Sequence, residues 1–371
     1  MTTSAHSIYF DWAAASPVRR QLKRIMVRTA AEGCLNPEAA HPAGLRSREL
    51  MERSASLLSR AVLGRETPAV WAGSGTELFG LIAAARRLGM ISRSAFISNL
   101  EHPACRANLA ASGECVELPP EELPDKLRGS RPVVVISHVQ SVLGLLLPLE
   151  KILREIRGKC PDALIFADTV QSAGKFDLPD GADFYAVSAA KLGSPAGCAA
   201  WLAATPAAEA LLAGFGRLRH EHYVTGRENP FAAMLAAEAA TLQRRFREAD
   251  RRNVRRINQY LRREWHGRTA PNGRTIRATV PAEQASDWIL HLFLPGYQSA
   301  VLLRMLAADG VSVSAGSACQ AETKEPDSAM RAWGFRRDDA FSGLRLSFGF
   351  ASTVAEARTF SELLKNYLIN Y

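Results

Sequence analysis

The chain has 371 residues, 47 % hydrophobic and 22 % charged, which excludes a disordered or fibrous polypeptide and suffices to bury a full core. Its length exceeds that of one ordinary domain, so two domains are expected, or one large domain with an appendage. The formal net charge of +9 invites a polyanionic partner, while six widely spaced cysteines without a CxxC pair argue against a disulfide framework.

The opening stretch MTTSAHSIYFDW has no basic segment leading into an apolar core, unlike a secretory signal. No apolar run reaches the roughly 18 residues of a membrane span, so the cytoplasm is the expected compartment and no membrane partner is expected.

From residue 69 to 202, short apolar runs alternate with helical patterns. AVWA (69–72), AFISN (95–99), PVVVIS (132–137), ALIFA (163–167), DFYAV (183–187) and GCAAWL (197–202) read as strands covered on both faces. ELFGLIAAARRLG (77–89) and LEKILREIRG (149–158) carry helical periodicity. That alternation predicts an α/β domain with a mostly parallel sheet, whose ligands sit at the carboxyl ends of the strands.

The densest basic run follows at 243–265, QRRFREADRRNVRRINQYLRREW. Leu242, Phe246, Ile257, Leu261 and Trp265 recur at helical spacing, so the arginines occupy the solvated face of an amphipathic helix. Without stacking aromatics or a known motif, this face is not read as a nucleic-acid surface, although an acidic protein partner stays open. Beyond it, WILHLFL (288–294), a helix over 297–310, VSVSAG (311–316), GLRLSFGF (343–350) and a final helix from Val354 to Leu368 predict a smaller α+β domain. The expected division is 15–245 for the large domain, and 1–14 with 246–371 for the small one.

Three segments after predicted strands carry chemistry. Gly73-Ser74-Gly75-Thr76 precedes a helix, where small residues and free N–H groups suit an anion. Asp168 ends the ALIFA strand, with Gln171 three residues on. Lys191, in SAAKLGSPAG, has no charged sequence neighbour, and in apolar surroundings its amine would be a nucleophile toward carbonyls. An anion cradle, a carboxylate and such a lysine are what pyridoxal phosphate (PLP) requires. His102 and Cys105 form an HxxC fragment that lacks two further ligands, so no metal is expected.

These segments fall in an order that resembles the cysteine desulfurases, class V, fold-type I PLP enzymes, over almost the whole chain. YFDWAAASP resembles their opening Y-L-D-x-A-A-T-x-P, and CLNPEAAHPAGLRSRE resembles G-N-P-S-x-x-H-x-x-G, with Asn36, Pro37, His41 and Gly44 in place. SGTE resembles G-A-T-E, EHPA resembles E-H-x-A, SHVQSVLG resembles S-H-V-S-N-V-L-G, and ADTVQSAGK resembles D-x-x-Q-x-x-G. SAAK, VTGRENP, AGSACQAETKEPD and GLRLSFG resemble S-x-H-K, R-S-G-T-E-N, the group I loop S-G-S-A-C, and S-x-R-x-S-x-G.

The resemblance implies a large domain with a seven-stranded mixed, mostly parallel sheet, a smaller α+β domain, and a homodimer with interface sites. It implies that Lys191 bonds PLP covalently and that Asp168 holds the pyridinium nitrogen. Gln171 would bond the ring's phenolic oxygen, Gly75, Thr76 and Ser188 would hold the phosphate, and His102 would stack on the ring and assist proton transfer. Arg345, with Asn36 and Ser141, would bind the substrate. Cys319 would accept sulfur from L-cysteine as a persulfide and pass it to an acceptor protein, releasing alanine; iron–sulfur assembly is one use of such sulfur. The chain departs from the pattern at Ala190 (a phosphate-binding histidine), at Ser141 or the neighbouring Gln140 (an asparagine), and at Val224, Arg227 (a phosphate-binding threonine) and Phe350 (an arginine). Arg227 is expected to bind the phosphate across the dimer, offsetting Ala190. The alternatives are a selenocysteine lyase, another lyase or an aminotransferase, and a degenerate dimeric scaffold in sulfur relay.

Overall fold

The computed structural model describes residues 7–32, 35–220, 228–316 and 327–371. Its strands are β1 (Ile8–Tyr9), β2 (Ala69–Ala72), β3 (Ala95–Ser98), β4 (Cys115–Leu118), β5 (Val133–Ser137), β6 (Leu164–Asp168), β7 (Phe184–Ser188), β8 (Ala199–Ala203), β9 (Arg277–Ala278), β10 (Ile289–Phe293), β11 (Val311–Ser312) and β12 (Gly343–Ser347). The helices are α1 (Arg20–Glu32), α2 (Pro42–Leu63), α3 (Gly75–Arg87), α4 (Pro103–Ala110), α5 (Leu123–Lys126), α6 (Leu149–Lys159), α7 (Pro206–His220), α8 (Pro230–Trp265), α9 (Ser299–Ala308), α10 (Ser328–Ala332) and α11 (Val354–Ile369). They divide into two units, Ala15–Val139 with Pro148–Phe246, and the described residues of Met1–Ala14 with Gln140–Leu147 and Arg247–Tyr371.

The first unit is built on a seven-stranded sheet in the order β2-β8-β7-β6-β5-β3-β4, with β8 antiparallel to both neighbours and the remaining pairs parallel. This is the expected α/β fold of mostly parallel strands. VVVIS of β5 is buried at every position, as a central strand covered on both faces must be. Phe166 stacks on Phe184 at 4.7 Å, and Trp201 donates its indole N–H to the Leu78 carbonyl at 3.0 Å. That bond satisfies the one polar atom of a large buried ring. The Leu78–Ala85 stretch of α3 lies in the same apolar cluster as β3, β5, β6 and β7.

The second unit holds an antiparallel sheet in the order β12-β10-β9 and a parallel pair, β1 with β11. Phe10, just past β1, is fully buried with its ring edge against Phe348 at 5.2 Å and Phe360 at 6.0 Å. The helix α11 opens on a capping box between Thr353 and Glu356, which satisfies two N–H groups that have no partner within the helix.

The expected division kept 140–147 with the large domain; this segment instead groups with the second unit. Its backbone finds partners there: Leu146 N–H donates to the Gln284 carbonyl at 2.8 Å, and Ser286 N–H donates to that of Gly144 at 2.8 Å. Gly144 has a φ of +73°, and a Cβ there would meet the Ile289 carbonyl oxygen at 2.8 Å. The backbone pairing thus depends on a residue without a side chain.

The basic helix also differs from expectation. It begins at Pro230 and runs 36 residues, entering the second unit at Arg247. Leu242, Val254, Ile257, Leu261 and Trp265 are buried, whereas Arg244, Arg245, Arg251, Arg252, Arg255 and Arg256 are exposed, as an amphipathic helix requires. Among the described residues, no helix is long and apolar enough to cross a membrane.

Candidate active site

Parallel strands place the ends of β3, β5, β6 and β7 on one edge of the first unit's sheet. Ser137 pairs with Asp168 in register, and Ala199 of β8 lies between Ala72 and Ser188. The turns that follow β2 and β7 therefore leave the sheet two strand spacings apart, about 10 Å. This edge collects the residues that the sequence singles out.

After β2, Ser74 caps α3 by accepting from Glu77 N–H at 3.2 Å, while Glu77 accepts from Gly73 N–H at 2.6 Å. Thr76 is exposed, and a Cβ on Gly75 would meet no protein atom within 4 Å. Open space thus stands before the positive end of a 13-residue helix, as an incoming phosphate needs. After β7, buried Ser188 leads into a 3₁₀ turn, Ala189–Lys191, which presents the lysine. Ala190 uses its carbonyl to accept from Ser16 N–H at 2.7 Å and has no side-chain donor in place of the family's imidazole.

Asp168 accepts from Val170 N–H at 3.0 Å through one carboxylate oxygen. Burial raises its pKa, opposed by that hydrogen bond and by the charges of His102 and Lys191. A half-buried carboxylate beside a lysine and a histidine is the environment in which a protonated pyridine nitrogen is stabilised. Lys191, expected to lack charged company, thus has Asp168 as an electrostatic neighbour, and its charge in turn acts on Lys175. Burial, then Lys191, brings the Lys175 amine down to about 7. Gln171 is buried in the turn that follows Asp168.

His102 caps α4: its Nδ1 accepts from Ala104 N–H at 3.1 Å, and Pro103 occupies the first helical position. The neutral ring therefore carries its proton on Nε2. Its HxxC partner Cys105 is fully buried, and among the described residues no three His, Cys, Asp or Glu side chains are grouped to hold a metal.

Two buried groups here escaped the sequence reading. Glu101 accepts from Ser137 N–H at 2.7 Å and pairs with the Ser137 hydroxyl at 2.7 Å. Burial first, then the Asp168 charge, pushes its carboxyl up to about 8. His138, buried beside Phe176, has its imidazole pushed down to about 4 by burial and is neutral near pH 7. The only sequence hint for Glu101 was its place beside His102.

Asn36 does not lie at a strand end; it is exposed in the turn before α2, its side-chain oxygen accepting from Glu38 N–H at 3.0 Å. In the second unit, Arg345 on β12 is 2 % exposed and donates to Asp11 at 2.7 Å and to the Ser141 carbonyl at 3.0 Å. Its side chain is already held, and Nε has no hydrogen-bond partner among the described residues. Asp11 gave no sequence signal for this pairing, 334 residues away. Beside it, His291, opposite Arg345 in the β10–β12 ladder, is pushed down to about 3 by burial and the guanidinium. Arg227 and Cys319 lie outside the described residues.

The aminotransferase class-V family model matches residues 8–360. A cysteine desulfurase, IscS 1, of Archaeoglobus fulgidus is 24 % identical, covering 96 % of this chain and 95 % of its own. Cysteine desulfurase IscS of Anaeromyxobacter sp. is 28 % identical over 94 % of this chain and 89 % of its own. A solved NifS-like protein superimposes with a TM-score of 0.81 at 19 % identity, over 98 % of this chain and all of that one, a likeness of fold. With the family model spanning the sheet edge and both units, the chain belongs to the class-V aminotransferases, a family of PLP-dependent enzymes.

Proposed function

We propose that the protein is a PLP-dependent cysteine desulfurase, converting L-cysteine to L-alanine with transfer of sulfur to Cys319. The observation that carries this reading is the half-buried Asp168 carboxylate with Lys191 and His102 as its charged neighbours, at the edge where the α3 N-terminus opens. Full-length similarity to named cysteine desulfurases supports the choice of substrate.

PLP, when bound, supplies an electron sink for bond breaking next to the substrate nitrogen. Lys191 holds it and moves the proton at the substrate Cα; Asp168 keeps its ring nitrogen protonated; His102, through Nε2, moves a second proton. Gln171 bonds the ring oxygen, while Gly75, Thr76 and Ser188 hold the phosphate, with Arg227 supplying the charge that Ala190 lacks. Arg345 binds the substrate carboxylate, with Ser141 and Asn36 assigned to the same substrate by resemblance. The Cys319 thiolate attacks the substrate sulfur: an S–S bond forms, the Cβ–S bond breaks, and Cβ gains a proton. Cysteine and one protein thiol thus become alanine and one persulfide, with no external oxidant. The reading includes a homodimer in the cytoplasm and an acceptor protein for the sulfur. It retains 15–245 as the cofactor domain, except for Gln140–Leu147, and assigns Cys319 and Arg345 to the C-terminal domain.

The test is release of alanine and sulfide from L-cysteine by the PLP-loaded protein with a thiol reductant. Cys319→Ser is expected to abolish sulfide release while leaving the yellow colour of the bound cofactor. Sulfide release at the wild-type rate by this variant would overturn the assignment of the thiol. A colourless wild type after incubation with PLP would overturn the enzyme itself.

A further inference from the structure

We propose that Glu101 is a positioning residue of the cofactor site, its side chain tying the turn that presents His102 to the strand end beside Asp168. The inference rests on the PLP reading above and extends it to a residue that no similarity assigns.

The geometry is a clamp within one unit. Glu101 is 1 % exposed and precedes His102 directly. One carboxyl oxygen accepts from Ser137 N–H, and the other meets the Ser137 hydroxyl, both at 2.7 Å. Ser137 ends β5 and pairs in register with Asp168 at the end of β6. The backbone around Glu101 is fixed as well: its N–H donates to the Ser98 carbonyl at 3.1 Å, and its own carbonyl accepts from Arg106 Nε at 3.3 Å. Two side chains assigned to opposite roles, a stacking imidazole and a ring-nitrogen carboxylate, are thereby linked through a single buried carboxyl and one serine. A link of this kind sets their spacing before any ligand arrives, which is what a site needs to bind without reorganising.

The charge state of Glu101 fits the clamp. The groups that act on it are Asp168 from β6, Ser137 from β5 and Arg106 from α4, and Glu101 in turn helps to push up the buried Cys105 thiol on α4. With its carboxyl pushed up to about 8, Glu101 is mostly neutral at pH 7. In the ionised form both Ser137 groups donate to it; in the neutral form its carbonyl oxygen still accepts the Ser137 N–H, and its own O–H is able to donate to the Ser137 hydroxyl. A neutral Glu101 thus adds no second negative charge beside Asp168.

The experiment uses the full chain, stripped of and reloaded with PLP, in three forms: wild type, Glu101→Gln and Glu101→Ala. Glutamine reproduces the neutral carboxyl, with an oxygen for the Ser137 N–H and an N–H for its hydroxyl. PLP affinity is expected to fall at least tenfold in Glu101→Ala and to return to within about twofold of wild type in Glu101→Gln. In the cofactor-free wild type, the ¹⁵N signals of the His102 imidazole should pass through a step near pH 8 that Glu101→Gln lacks. Wild-type PLP affinity in Glu101→Ala would overturn the proposal, as would failure of glutamine to restore it, or an unchanged His102 step in the Gln variant. Should Glu101→Ala not fold, Ser137→Ala removes the hydroxyl half of the clamp; a several-fold loss of PLP affinity is then expected, and wild-type affinity would overturn the proposal. If the wild type itself fails to bind PLP, the enzyme reading falls, and the His102 titration still decides the role of Glu101.

Discussion

The two charged centres of this protein solve opposite problems. Asp168, in the first unit, is an anion kept in a poorly solvated place with no salt bridge among the described residues, and burial raises its pKa. Arg345, in the second unit, is a cation more deeply placed than the half-buried Asp168, yet it has a carboxylate at 2.7 Å and a carbonyl at 3.0 Å. An uncompensated buried charge costs several kcal/mol, and a paired one much less. The contrast separates a carboxylate that has Lys191 and His102 as electrostatic neighbours from a guanidinium with a carboxylate in direct contact.

Two substitutions test that contrast directly. Asp168→Ala should lower the rate of sulfide release by about 10³-fold, as expected when the charge that stabilises a developing transition state is removed. The same change should raise the thermal stability of the cofactor-free chain. A fall in its melting temperature would show that Asp168 is satisfied within the fold. Asp11→Ala should do the reverse, destabilising the cofactor-free chain by about 3 kcal/mol because Arg345 loses its counter-charge. Chemical denaturation would measure it, and a loss below about 1 kcal/mol would mean that the guanidinium finds another partner.

A further effect concerns pH. Glu101 has its pKa raised from an ordinary 4.5 to about 8 on folding. Between those values the folded chain holds a proton that the unfolded chain has released, so the Glu101 contribution to stability falls as pH rises from 4.5 to 8. Glu101→Gln removes this slope, and its stability relative to wild type should grow steadily across that window. His138, pushed down to about 4, acts in the opposite sense between 4 and 6.5, but it is common to both proteins and cancels in the difference. A pH-independent difference would rule out the protonated clamp.

Much of this was written in local pattern. Each of the six apolar runs of the first half overlaps a strand, because strands covered on both faces need continuous hydrophobicity. The edge strand β4, with CVEL only partly covered, carried no such signal, and the two-residue β1 and β9 were too short to show any period. The first thirteen residues of α8 also went unread, since the basic face that marks the helix begins only at Gln243. Asp168 and Lys191 were legible because they stand where strands end. Glu101 and Asp11 stood inside the matched EHPA and YFDWAAASP motifs, but their roles were not legible, because nothing local names the distant partner, Ser137 or Arg345.

Some departures from the family pattern prove to be joint. Phe350 stands where an arginine was expected, and its ring lies edge-on to Trp12 at 4.9 Å. A Cβ on the intervening Gly349 would meet that indole at 2.0 Å. Trp12 falls inside the opening motif and Phe350 at the end of the last, so an apolar ring pair has been built from both ends of the chain. Both rings lie in the second unit, and the change there is one of packing rather than of isolated chemistry.

The pairing of β1 with β11 has a consequence for how the protein is made. Ile8 and Tyr9 are made about 300 positions before the residues they pair with, Val311 and Ser312. At the usual pace of about 5–20 residues per second, the opening strand waits some 15–60 s for its partner. The segment Gln140–Leu147 waits in the same way for Gln284 and Ser286. The second unit is therefore able to close only after the first, and the Asp11–Arg345 ion pair can form only once both residues, 334 positions apart, have been made.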